Sequence, residues 1–138
     1  PNTPHARIQN RIFITLYQFV ERMQTGEVFC APVDVYLNTK NVYQPDIFYI
    51  SNERKEIIKN RGIFGAPDLI VEILSEDRNY DLKKKKTFYE HSGVKEYWVV
   101  DPDTKWAEGF VLENNQFKSV GETTANLTIR MFDLNITF

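Results

Sequence analysis

At 138 residues the chain fits one domain, 1–138, built around one core. Its 42% hydrophobic and 14% aromatic content suffices for a packed interior, and no low-complexity tract points to disorder. A net charge of -2 excludes a protein that coats nucleic acid by overall charge and leaves only a local basic patch for such contact. The single cysteine, Cys30, excludes an internal disulfide and a cysteine-based zinc site within one chain. It reads as a small buried residue in a reducing, cytoplasmic setting. No segment is long enough to span a bilayer. The most apolar early run, Ile12 to Val20, is interrupted by Thr15 and Gln18 and lacks the layout of a signal peptide. The chain opens on Pro1, so a few natural residues are expected to precede it.

In chain order, Thr3 and Pro4 predict a helix start. Ile8, Ile12, Leu16, Phe19, Val20 and Met23 then recur at helical spacing, and Gly26 is the expected stop. His5, with no second histidine or carboxylate nearby in sequence, is assigned a surface or capping role rather than a ligand's or a base's. Strands are predicted at Val28 to Ala31 and Val33 to Leu37. Another is predicted at Ile47 to Ile50, entered through Pro45. Ser51 to Arg61 reads as a charged, irregular segment pinned by Ile57 and Ile58. Asp68 to Ser75 is a buried strand, Glu76 to Tyr80 a polar turn, and Asp81 to Ser92 a helix stopped by Gly93. Lys95 to Asp101 is the next strand, followed by a meander of Lys105 to Leu112 and Gln116 to Val120. Leu127 to Phe138 predicts a last strand with a helical turn near Met131 to Leu134. This order gives an α/β (α+β mixed sheet) fold with helices packed on it.

One carboxylate stands out. Glu72 sits among Leu69, Ile70, Val71, Ile73 and Leu74, where an isolated charge is costly and must be paired, protonated or bound to a cation. Asp46 lies on another apolar strand. If the two strands pair, the carboxylates meet and must share a proton or a cation, for which oxygen ligands suit Mg²⁺ or Mn²⁺. The alternative is structural: Asp46 as a strand-entry residue and Glu72 paired with a lysine. Within Lys83, Lys84, Lys85 and Lys86, the phase set by Leu82 and Tyr89 aims Lys85 or Lys86 at the sheet, and Phe88 favours Lys85. Such a lysine either stabilises a charged transition state or snorkels to water. Asp68 is expected to be exposed or turn-forming, Asp34 to face the polar side of its strand or a cleft, and Asp101 to make a turn. Nucleophile-elbow, phosphate-loop and HExxH patterns are absent from the sequence.

The stretches QPDIFYIS, GAPDLIVEILS and YDLKKKKTFYEHSGVKEYWVVDP, in that order, resemble a bacterial family of restriction-endonuclease-like proteins in the PD-(D/E)xK nuclease superfamily. The resemblance runs from about His5 to Phe138 and implies a fold with an N-terminal helix, a central mixed sheet and a lysine-bearing helix on it. It makes Pro45-Asp46 the "PD" element and Glu72 the acid of the next strand. Leu74 occupies the position of the usual lysine, and Lys85 matches the lysine supplied from the following helix. His5 and Gln9 match the family's first helix. What the resemblance implies is a Mg²⁺- or Mn²⁺-dependent endodeoxyribonuclease, with the metal on Asp46, Glu72 and the Ile73 carbonyl. Arg7, Arg11, Lys83 and Lys84 are the expected contacts to DNA. The rival reading is an inactive scaffold binding nucleic acid or a protein. A homodimer would allow both strands to be cut, with Tyr97, Trp106 and Phe110 either at its interface or in the core.

Overall fold

A computed structural model describes residues 2–38, 40–75 and 78–138, with residues 78–81 described as backbone. The elements are α1 (Thr3–Met23), β1 (Gly26–Cys30), β2 (Val35–Tyr36), β3 (Val42–Tyr43), β4 (Ile47–Ser51), a 3-10 turn at Asn52–Ile57, β5 (Ile58–Lys59), β6 (Gly62–Phe64) and β7 (Leu69–Ile73). They continue with α2 (Arg78–Ser92), β8 (Glu96–Val100), β9 (Trp106–Glu113), β10 (Gln116–Thr124), β11 (Asn126–Ile129) and β12 (Leu134–Thr137). A six-stranded sheet runs β1-β4-β7-β8-β9-β10. Only β7 and β8 pair in parallel within it, and α2 makes their crossover.

The central strands are apolar at successive positions because both faces of the sheet are covered. Ile47, Tyr49, Leu69, Val71, Trp98 and Val100 pack under α1 and the β11–β12 hairpin. Phe48, Ile50, Ile70, Tyr97 and Val99 face α2 and the small sheet β3-β2-β6-β5. Helix α1 lays Ile8, Ile12, Leu16 and Val20 on the first face at i, i+4 spacing.

Several expectations need correction. Asn2, not Thr3, caps α1, its side chain accepting from the His5 N–H at 3.2 Å. The helix ends at Met23 with Gln24 in the left-handed region at φ 57. Gly26 is instead the first residue of β1, where a Cβ would meet the Ile50 carbonyl at 2.2 Å. Helix α2 begins at Arg78 rather than Asp81, so residues 78–80 are helical, while the rest of the expected turn, 76–77, lies outside the described residues. The chain's end is a hairpin, not one strand, because 130–133 form a hydrogen-bonded turn between β11 and β12. Cys30 is half-buried. Tyr97 and Phe110 are buried, and Trp106 is half-buried with its indole N–H on Glu122, so these aromatics line the core rather than a free surface.

Asp68 is buried rather than exposed. It accepts from the Ser51 N–H at 2.7 Å and pairs with Lys95 at 3.1 Å, satisfying polar groups where β4 ends and β7 begins. Glu96 is also buried. It accepts from the Trp98 indole and from the N–H groups of Arg130 and Met131, tying the C-terminal hairpin to β8. Trp98 itself lies against Gly109 on β9, where an added Cβ would come within 2.3 Å of the ring. We expect Gly109→Ala to destabilise the fold by about 1–3 kcal/mol through overpacking, read as a lowered urea midpoint with unchanged slope.

Candidate active site

The chemistry gathers where β4 starts and β7 ends. Ile47 pairs with Val71, and the same register carried one step further sets Asp46 opposite Glu72. Each acid grips the other's strand: the Asp46 N–H donates to Glu72 Oε1 at 3.1 Å, and the Ile73 N–H donates to Asp46 Oδ2 at 2.8 Å. The second oxygen of Glu72 faces α2. Tyr89 donates its hydroxyl to Oε2 at 2.7 Å, and Lys85 Nζ lies 3.3 Å from the same atom. Lys85 and Tyr89 are four residues apart, so one helix face delivers both.

The lysines are sorted by that face. Lys83 and Lys84 are exposed, Lys86 sits 4.0 Å over the Phe110 ring, and Lys85 reaches Glu72 with its side chain 26% exposed. Leu74, at the position expected of a strand lysine, helps wall a small cleft together with Glu72, Ser75, Leu82 and Lys85. Arg7 and Arg11 are exposed on α1, away from its buried stripe. Asp34 is bonded to Gln44 at 2.8 Å in the small sheet, and Asp101 accepts turn N–H groups from Asp103 and Thr104.

His5 is where sequence reasoning went wrong. It is buried, not on the surface, and its Nε2 lies 3.4 Å from Asp46 Oδ2. One turn on, Gln9 donates to the Asp46 carbonyl at 3.4 Å. Tyr89 was visible only as an apolar face marker. Its spacing from Lys85 was the available signal for a shared target.

Burial sets the electrostatics. Desolvation pushes Glu72 up to about 7, with the Asp46 charge adding to the rise, while Lys85, the Tyr89 hydroxyl and the Asp46 N–H pull it back. Asp46 is raised too, chiefly by burial, against the opposing Ile73 N–H. His5 is lowered, first by burial, so it is held neutral, and the Ile73 backbone draws it partly back. Tyr89 is held well above its ordinary value by burial and by Glu72. Two adjacent carboxylates that resist ionisation gain most from a shared proton or a hard cation. Among the described residues, no group of three or more His, Cys, Asp and Glu side chains forms a ready-made metal cage. The side chains here that could hold a cation are the two carboxylates of Asp46 and Glu72.

A mixed sheet with an N-terminal helix and a crossover helix packed on it is the fold that the restriction-endonuclease-like resemblance implies. The fold matches the crystal structure of a putative nuclease belonging to DUF820 from Anabaena variabilis ATCC 29413, with a TM-score of 0.78 at 21% identity over 99% of this chain and 79% of that one. The chain belongs to the Uma2 family, described as "Putative restriction endonuclease", whose family model matches residues 1–137. No curated protein matches it. None of the helices, among the described residues, is long and apolar enough to cross a membrane.

Proposed function

We propose that this chain is a Mg²⁺- or Mn²⁺-dependent endodeoxyribonuclease, acting as a single domain in the cytoplasm on DNA and as a homodimer when both strands are cut. Asp46, Glu72 and the Ile73 carbonyl are the residues that would hold the ion. The observation that carries the reading is the fixation of one buried carboxylate, Glu72, at both oxygens beside a second acid and within 3.3 Å of an ammonium. A bound divalent cation supplies positive charge for the phosphate and for activation of water. The protein's own groups do the positioning. Tyr89 and the Asp46 N–H lock the Glu72 rotamer, so no reorganisation is needed when charge develops. Lys85 orients the attacking water or stabilises the pentavalent phosphate from the cleft side. Arg7, Arg11, Lys83 and Lys84 are exposed and would contact backbone phosphates, giving salt-sensitive binding.

The test is conversion of supercoiled plasmid by the purified protein. Nicked and linear products are expected at millimolar Mg²⁺ or Mn²⁺, with none in EDTA. A second reading, an inactive scaffold that binds nucleic acid or a protein, draws on Leu74 at the strand position where the resemblance places a lysine. DNA binding without conversion in either metal would select it.

A further inference from the structure

Helix α1 contributes two polar side chains to the acid pair, and the nuclease reading above gives them no task. His5 is 5% exposed at its side chain, within a stripe that otherwise buries Ile8, Ile12 and Leu16. A histidine there has to be explained by its contacts. Its Nε2 faces Asp46 Oδ2 at 3.4 Å. Its Nδ1 is buried with no hydrogen-bond partner among the described residues. A bare acceptor nitrogen tolerates burial better than an orphaned N–H, so the proton belongs on Nε2, the side that faces Asp46. Gln9, one turn along the same helix face, holds the Asp46 carbonyl.

We propose that His5 is a positioning residue whose Nε2–H steadies the Asp46 carboxylate. That carboxylate is one of the groups that the nuclease reading, on which this inference rests, assigns to the cation. The arrangement places a donor from α1 opposite the donors from α2. The acid pair is thus supported from both faces of the sheet: Tyr89 and Lys85 act on Glu72, and His5 and Gln9 act on Asp46. Partners of this kind, one bond removed from the ion, set metal affinity without touching it.

The test uses Mn²⁺ alone, with binding to the full chain followed by calorimetry and by pulsed electron paramagnetic resonance of the bound ion. His5→Phe keeps the ring's bulk and removes the donor, and it should weaken Mn²⁺ binding by about tenfold or more. His5→Gln keeps an N–H and should recover most of that loss. The bound ion should show no directly coordinated nitrogen in the wild type. If the phenylalanine variant binds Mn²⁺ as tightly as the wild type, His5 only fills space and the inference falls. A coordinated-nitrogen signal lost in His5→Gln and kept in a His91→Gln control would make His5 a ligand instead, which also overturns it. No Mn²⁺ binding by the wild type would sink the nuclease reading itself, an outcome distinct from the other two.

Discussion

Lys85→Ala should lower metal-dependent plasmid cleavage by about 10²–10³-fold, the usual loss when one preorganised charge donor leaves a developing oxyanion. The fold should survive the change. Lys85 is a quarter exposed, its neighbours on α2 hold the helix through Tyr89 and Leu82, and the Glu72 it leaves behind has a proton available to it near neutrality. Circular dichroism and the urea midpoint should therefore stay close to the wild type while the rate collapses. Glu72→Ala should lose at least as much, since it removes the carboxylate that Lys85, Tyr89 and the Asp46 N–H all address. Cleavage at the wild-type rate in Lys85→Ala would take the helix out of the chemistry and return attention to the exposed Lys83 and Lys84.

Burial raises Glu72 from its ordinary 4.5 to about 7. A carboxyl whose folded value lies above its unfolded one binds its proton more tightly in the native state. Its contribution is therefore fully present below about pH 4.5 and is lost as pH rises through 7. The shift corresponds to about 3 kcal/mol at most, so the metal-free protein is weaker at pH 8 than this site alone would make it at pH 4.5. Glu72→Gln removes the titration and keeps an acceptor for the Asp46 N–H. In EDTA the variant should gain up to about 3 kcal/mol over the wild type at pH 8, and the gain should vanish towards pH 4.5. The lost partner of Lys85 offsets this by about 1 kcal/mol or less, because that ammonium reaches water. Adding Mg²⁺ should raise the wild-type melting temperature and leave the variant's alone. A variant less stable than the wild type at pH 8 in EDTA would show that the hydrogen bonds to Glu72 outweigh its desolvation.

The sequence carried the parts of this site that local pattern governs. An acid inside an apolar strand announces itself because almost nothing else belongs there. The helix phase of Leu82 and Tyr89 narrows the run to Lys85 and Lys86, and Phe88 favours Lys85, whose Nζ lies 3.3 Å from that acid. What stayed hidden depends on partners distant in the chain. Asp68 looked like a turn residue because the Ser51 N–H and Lys95 that hold it are remote in sequence. Glu96 went unnoticed for the same reason, its acceptors being spent on the far hairpin. His5 reads as a surface residue because the carboxylate beside it arrives 41 positions later, just before β4. The parallel pairing of β2 with β6 left no local trace either, since each strand contributes only two or three residues.

The separation of Lys85 from the strands has a consequence for tuning. Strand hydrogen bonds fix the distance between the two acids, but the gap to the amine depends only on how α2 is seated. That seat is aromatic: Tyr89 packs edge-on against Tyr97, and Lys86 rests on Phe110. A slip of α2 by part of a turn would open the ammonium–carboxylate gap while leaving the six-stranded sheet untouched. Under the proposed nuclease function, the cleavage rate should thus be adjustable from the outer layer, like a tool whose jaw is set by a screw in the handle.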